Sequence, residues 1–237
     1  MLLDRALSGS DRSHVVVTPN VAHVVRLHRD QSLLRTYQRA DYMFADGMPI
    51  VLAARLLGQP VPGRVTGADL FRSLCADLAL AGARAFVLGG HQGEEEIIIS
   101  RLSQEFPGLV VRVFSPSMDF NWQGPEAAEA IEHIKHFQPS VTFVCLGFPK
   151  QEYFAINRAH ELPPTLVLCV GAALDFMLGR EKRAPLVFRG SGLEWLWRLA
   201  NNPRRLWRRY LLDAPAFVAL LSRALLDKAL HQRRAVK

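Results

Sequence analysis

Cysteine is scarce: there are three in 237 residues, Cys75, Cys145 and Cys169. Each lies inside an apolar run with no ligand spacing around it. That excludes a disulfide framework and predicts buried free thiols in a reducing compartment. Long apolar runs are missing too, and none reaches the ~18–20 residues needed to cross a bilayer. The best candidate, from Tyr210 to Leu221, is broken by Asp213 and Pro215. The opening MLLDRALSGSDR turns polar and charged too early for a secretory signal. The expected location is therefore cytoplasmic, either free or on a membrane without crossing it. The eight histidines show no metal spacing, and His133 and His136 fall on an amphipathic pattern facing solvent. Gly-x-Ser-x-Gly is absent, which weakens a hydrolase reading. A net charge of +7 would suit nucleic acid. With no zinc-finger spacing, RNP-like aromatic motif or helix-turn-helix pattern, no nucleic acid partner is expected.

What the sequence does have is alternation. Short β-rich runs are expected at His14–Thr18, Tyr42–Ala45, Arg84–Leu88, Leu109–Phe114, Val141–Leu146 and Leu166–Val170. Helical patterns stand between them: from Asn20 to about Arg29, over 31–39, Pro49–Leu57, Thr66 or Gly67 to Gly82, Glu94–Phe106, Pro125–Phe137 and Lys150–His160. The strand runs are continuously apolar, as in a parallel sheet covered on both faces. The fold class is therefore α/β, a mostly parallel Rossmann-like sheet with helices on both faces. Near 179–190 the alternation stops, so the chain divides into an α/β catalytic domain over 1–185 and a helical appendage over 186–237.

In such sheets ligands bind beyond the carboxyl ends of the strands. The polar residues there are Thr18 and Asn20 after the first strand, Asp46 after the second, and Gly89, Gly90 and Gly93 after the third. Lys150, Gln151 and Glu152 follow the fifth, and Gly171 the sixth. Together they are expected to line one pocket. Gly89-Gly90-x-x-Gly93 lets backbone amides approach a phosphate at a helix start, though a tight strand-to-helix turn would use the same residues. Asp46 before Gly47 reads as a general base, with Arg64 in a nearby glycine-rich loop, or as a plain turn residue beside a surface charge. Lys150-Gln151-Glu152 is either part of the pocket or the polar first turn of a helix.

The appendage is strongly basic. Residues 180–237 sum to +10 and residues 1–179 to −3. Asn202 reads as an N-cap and Pro203 as a first helical residue. At 100° per residue, Leu206, Trp207, Tyr210 and Leu211 share one arc, while Arg204, Arg205, Arg208 and Arg209 share the opposite one. That pattern fits a helix lying on an anionic membrane, and equally a core-packing helix with a charged outer face.

Several stretches together carry a family resemblance: TPNVAHVV at 18–25, ADGMPIVLAARLLG at 45–58, GRVTGADL at 63–70, VLGG at 87–90, FPGL at 106–109, LGFPKQE at 146–152, GAALDFMLGREKRAP at 171–185 and GLEWLWRLANNPRRLWRRY at 192–210. In this order and over nearly the whole chain, they resemble the WecG/TagA/CpsF glycosyltransferases (glycosyltransferase family 26). The resemblance implies an inverting enzyme that moves a sugar from a UDP-sugar donor to a polyprenyl-diphosphate-linked sugar. It implies no required metal or cofactor, and action at the cytoplasmic membrane face in teichoic acid or cell-surface polysaccharide synthesis. Family donors carry N-acetylmannosamine, its uronic acid or glucose. Asp46 matches the proposed base. Thr18, Asn20 and Gln151 match pocket residues, and Arg64 matches a diphosphate contact. Arg198, Arg205 and Arg208 match tail arginines proposed to complete the site. The absence of Asp-x-Asp agrees with a metal-free reaction. Gly89, Gly90, Lys150 and Glu152 join the substrate-binding set by position, and Arg204, Trp207 and Arg209 form the membrane-binding set. Two departures stand out: the chain starts at the helix that LLDRALSG resembles, without the family's preceding strand segment, and SPSMDFNWQG at 115–124 is a variable region expected to shape a pocket.

The competing reading is a non-catalytic nucleotide-binding adaptor on the membrane, which would have no reason to keep Asp46, Arg64 and Gln151. An NAD-dependent enzyme would need a glycine fingerprint that is missing here. The sequence leaves room for a homo-oligomer.

Overall fold

The computed structural model of the chain describes residues 11–181, 197, 199, 207 and 209–235. Six parallel strands form one sheet in the order β2-β1-β6-β5-β3-β4. They are β1 (His14–Val17), β2 (Tyr42–Met43), β3 (Arg84–Gly89), β4 (Val110–Phe114), β5 (Val141–Cys145) and β6 (Leu166–Cys169). The described helices are α1 (Val21–Arg29), α2 (Gln31–Tyr37), α3 (Met48–Leu56), α4 (Gly67–Leu80), α5 (Glu95–Glu105), α6 (Pro125–Phe137), α7 (Lys150–Arg158), α8 (Ala173–Met177) and α9 (Ala214–Ala235). The α/β class holds, and every pairing is parallel.

The register explains the continuous apolar runs. Val16, Leu168, Phe143, Val87 and Val113 lie side by side across five strands. This row meets Phe71 and Leu74 of α4, Ile98 and Leu102 of α5, and Leu174 of α8 in one core, with the Phe71 and Phe143 rings 4.5 Å apart. Successive strand residues face opposite ways, so the alternate set, including Phe86, Val144 and Cys169, turns to the face covered by α6 and α7. There Phe154, Ile131 and Ile134 are buried. The four central strands, β1, β6, β5 and β3, are buried on both faces almost throughout, which is why their runs lack a polar alternation.

β2 is shorter than its sequence suggests. The Phe44 N–H still reaches the Val17 carbonyl (3.0 Å), but the Asp46 N–H bonds the Pro19 carbonyl (2.9 Å), and the chain leaves the sheet at Ala45. α8, five residues long, is a helix that the strand-and-helix reading did not include.

The described chain separates into two compact units that are not contiguous in sequence. The first holds the described residues up to Thr18, then Ser32–Phe44 and Thr66–Glu181; it contains the sheet. The second holds Pro19–Gln31, Ala45–Val65 and the described residues after 182. A single boundary at 185/186 was expected, whereas here two segments from the α/β half, carrying α1 and α3, group with the appendage. Their shared core is Val25 of α1, Ala53 of α3 and Phe217 of α9, surrounded by Val21, Val24, Ile50, Leu220 and Leu221.

The appendage is helical from Arg209 onward, but residues 209–213 form a π-helical turn before α9. Pro215 has no N–H for the carbonyl of Leu211, so the regular ladder is interrupted there. An arc drawn at 100° per residue therefore does not carry through 209–213, and the expected apolar face needs correcting over that stretch. No described helix is long and apolar enough to cross a membrane.

Candidate active site

β3 continues to β4 on its outer side, while β5 continues to β6 on the other. Connections that diverge from adjacent strands open a crevice at their carboxyl ends. In the first unit this places the residues after β3 and β5 at the rim, with those after β1 and β6 next along the sheet.

At the β3 end, the glycines have packing reasons of their own. Gly89 has φ +146, and a Cβ there would come 2.7 Å from Cys145 Cβ on β5. Gly90 has φ +94, and a Cβ would come 2.6 Å from Ile98 Cδ1. The following loop is partly committed: the His91 N–H donates to Glu94 Oε2 (3.0 Å), and Glu94 also pairs with Arg180. The Arg180 contact, with the His91 amide, holds the Glu94 carboxyl below its ordinary range. The sequence pattern did not pick out Ser115, which is buried at the β4 end and donates to the Gly89 carbonyl at 3.0 Å. A serine directly after a strand was the available signal.

At the β5 end, Lys150 is exposed and its Nζ donates to the Met118 carbonyl (2.6 Å). Arg158 donates to the Trp122 carbonyl (2.8 Å), and the Trp122 and Tyr153 rings stack at 6.1 Å. The variable segment 115–124 is thus fastened along α7, with Lys150 as one of its clasps.

Gln151 and Glu152 turn inward instead, at 3% and 0% exposure. The Gly171 N–H donates to Gln151 Oε1 (2.9 Å), and Gln151 Nε2 donates to Glu152 Oε1 (2.9 Å). Cys169 Sγ reaches the Gln151 carbonyl at 3.6 Å, and Thr18 Oγ1 donates to the Cys169 carbonyl at 3.3 Å. The structure therefore joins Thr18, Gln151, Glu152 and Gly171 through the ends of β1, β5 and β6. The start of α4 abuts the same place, where a Cβ on Gly67 would lie 2.9 Å from the Val170 carbonyl and 3.3 Å from Thr18 Oγ1. Glycine at this first helical position was the overlooked mark of a close approach.

Burial pushes the Glu152 carboxyl from the ordinary 4.5 up to about 7, against the hydrogen bonds from Gln151 and from its own backbone. The Cys169 thiol is likewise raised, by burial first and by the neighbouring Glu152 charge second. A carboxyl raised on folding stabilises fully below its unfolded value and loses that stabilisation as pH climbs through its folded value. Between about 4.5 and 7 the loss is on the order of 3 kcal/mol. Urea titrations of Glu152→Gln and the native chain at pH 5 and pH 8 should show this component of pH dependence removed in the variant. An identical pH slope in both would place the charge change elsewhere.

Asn20, Asp46 and Arg64 belong to the second unit. Asn20 caps α1, its Oδ1 accepting the N–H groups of Ala22 (3.1 Å) and His23 (3.4 Å). The Asp46 N–H bonds the Pro19 carbonyl and the Val65 N–H bonds the Ala45 carbonyl, each at 2.9 Å. These two bonds stitch the loops that bear the three side chains to one another, with Asp46 and Arg64 both half-buried. Arg198, Arg204, Arg205 and Arg208 lie outside the described residues, as do the helix start at Asn202 and the segment before residue 11. Trp207 is helical and 45% exposed, and Arg209 begins the π-helical turn. Among the described residues no group of three or more His, Cys, Asp or Glu side chains is placed to hold a metal ion.

With this arrangement in view, the family model described as "Glycosyl transferase WecG/TagA/CpsF family" matches residues 2–231. The chain belongs to that family. Among its relatives is an N-acetylglucosaminyldiphosphoundecaprenol N-acetyl-beta-D-mannosaminyltransferase of Bacillus spizizenii, 31% identical over 198 residues, covering 84% of this chain and 72% of the relative. A protein of the same name from Staphylococcus aureus is 28% identical over 210 residues, covering 89% of this chain and 79% of the relative. As a WecG/TagA/CpsF protein, the chain is a glycosyltransferase by family, and the polar residues at its strand ends are the places to look for its chemistry.

Proposed function

We propose that the chain is an inverting hexosyltransferase that moves a sugar from a UDP-sugar to a polyprenyl-diphosphate-linked sugar in cell-surface polymer synthesis. The observation that carries this reading is the family match over residues 2–231, supported by relatives whose names specify a diphosphoundecaprenol-linked acceptor. Asp46 takes the proton from the acceptor hydroxyl as that oxygen attacks the anomeric carbon. The new carbon–oxygen bond forms as the bond to the diphosphate breaks, and UDP departs. Thr18, Asn20 and Gln151 bind substrate. Arg64, with Arg198, Arg205 and Arg208, balances the charge gathering on the leaving diphosphate, so no metal is needed.

The deciding experiment offers a panel of UDP-sugars with a short-chain lipid-diphosphate-sugar acceptor, read by mass spectrometry, with and without chelator. Transfer from one donor, unaffected by chelator, is expected. No transfer from any donor overturns the enzyme reading, and activity that collapses in chelator and returns with magnesium or manganese overturns the metal-free one.

Arg64→Ala should weaken UDP binding by roughly 1.5–3 kcal/mol, the worth of a charge-assisted contact to a diphosphate. Calorimetric UDP affinity equal to the native chain's would return Arg64 to a structural role.

The membrane half of the proposal places the enzyme peripherally on the cytoplasmic face. Its support is the +10 charge of residues 180–237 and the exposed Trp207, Leu211, Leu212, Val218, Leu226 and Leu230. Each Lys or Arg close to an anionic surface contributes ~1 kcal/mol, screened by salt. The protein should sediment with vesicles rich in anionic lipid and release as salt rises. Equal binding to neutral vesicles would remove the electrostatic part.

A further inference from the structure

We propose that Glu152 is a positioning residue for sugar transfer: it fixes the side-chain amide of Gln151 and, through it, the one Gln151 N–H left over for a ligand. The inference rests on the transferase reading above and deepens it.

The geometry starts at Gly171. Its backbone N–H points at one end of the Gln151 amide, and only oxygen can accept there, so the amide nitrogen is turned to the other side. At that side Glu152 Oε1 accepts one of the two nitrogen-bound hydrogens. The second hydrogen has no partner among the described residues. Donor, amide and acceptor thus form a chain with one direction, and flipping the amide would set N–H against N–H at Gly171.

Glu152 makes little sense as a core residue. It is fully buried, and its Oε2 has no hydrogen-bond partner among the described residues. Its companions on the inward side of α7 are Phe154, Ala155 and Ile156. A buried polar atom without a partner costs stability, and an apolar side chain would avoid that cost. An apolar side chain would also leave the Gln151 nitrogen without an acceptor. A titratable neighbour on β6 is Cys169, whose sulfur is occupied with the Gln151 carbonyl. The carboxyl therefore answers one need in this place, the orientation of Gln151 at the carboxyl ends of β5 and β6.

The test compares Glu152→Met, Glu152→Gln, Gln151→Ala and the double variant Gln151→Ala with Glu152→Met. Each is the full chain, assayed with the active donor and acceptor at pH 8. Removing the acceptor in Glu152→Met should lower kcat/KM about 10–100-fold, the scale of a misplaced contact group, while its urea midpoint equals or exceeds the native one. Glu152→Gln keeps a carbonyl acceptor and should restore most of that loss. The double variant should be no slower than Gln151→Ala alone, because the effect of Glu152 passes through Gln151. In parallel, glutamine-selective 15N labelling of the native chain should show slow exchange of the Gln151 side-chain amide hydrogen held by Glu152. Full activity in Glu152→Met, independent multiplying losses in the double variant, or solvent-rate exchange at that amide each overturns the proposal. UDP calorimetry separates the two levels. A native chain that neither binds UDP nor moves sugar overturns the transferase reading itself, whereas normal native transfer with an unaffected Glu152→Met variant overturns only the role of Glu152.

Discussion

Asp46→Asn is expected to lower the rate of sugar transfer by ~10²–10⁴-fold, the usual contribution of a positioned general base. The fold should survive the change. The Asp46 contact that binds this loop to Pro19 comes from its backbone N–H, which asparagine keeps. The side chains are also nearly the same size, so the half-buried site is not repacked. What is lost is the capacity to accept a proton, since an amide is not a base at any working pH. UDP affinity measured by calorimetry should therefore stay near the native value while steady-state turnover collapses. Turnover close to native would remove Asp46 from the role and direct attention to other carboxylates. A parallel fall in UDP affinity would instead mean that Asp46 organises the binding loop.

The second large effect is expected from Phe217→Ala. Phe217 is the aromatic member of the small core it makes with Val25 and Ala53. Truncating a buried phenylalanine costs about 3–5 kcal/mol, from lost transfer energy and the cavity left behind. Among the described residues that core has three buried members, so few described contacts share the loss, and the second unit should open well before the sheet does. Limited proteolysis should cut the variant early within 19–31, 45–65 or α9, leaving the sheet segments resistant. Transfer should fall as well, because Asn20, Asp46 and Arg64 are carried on those loops. A variant as protease-resistant as the native chain would show that α9 is held by contacts other than Phe217. This outcome bears on simple truncation of the appendage: removing α9 would uncover Val25 and Ala53 rather than leave a finished domain behind.

Much of the sheet could be read from the sequence because its strands are buried on both faces. Val15–Val17 and Val141–Val144 are apolar at every position or nearly so, a pattern that a half-exposed strand does not show. α6 was legible at both ends, since Pro125 follows Gly124 and Pro139, two residues past Phe137, cannot continue a helix. α8 was not, because five residues make too short a period to count. The inward turn of Glu152 was hidden by its company, as Lys150-Gln151-Glu152 looks like any polar first turn. Yet Glu152 shares a helix face with Ala155 and Ile156, three and four residues on, and that spacing was the signal. Least legible was the grouping of α1 and α3 with the appendage. An amphipathic segment such as VAHVVRLHR declares that it has an apolar face, but it does not say which distant part of the chain will cover it.

The interleaving of the two units has a consequence for the order of events on the ribosome. The second unit is assembled from three pieces, and 116 residues, from 66 to 181, separate its middle piece from its last. At ~5–20 residues per second, the loops bearing Asp46 and Arg64 wait roughly 8–30 s before Phe217 itself is added. Over that interval the last four strands, β3 to β6, are synthesised, while Val25 and Ala53 have no Phe217 to bury them. A ribosome that stalls in the final quarter of the message would thus release a chain with its sheet made and its base-bearing loops unsupported. Activity would be switched on by completion of synthesis, and half-made enzyme would be an early target for proteolysis rather than a source of stray sugar transfer.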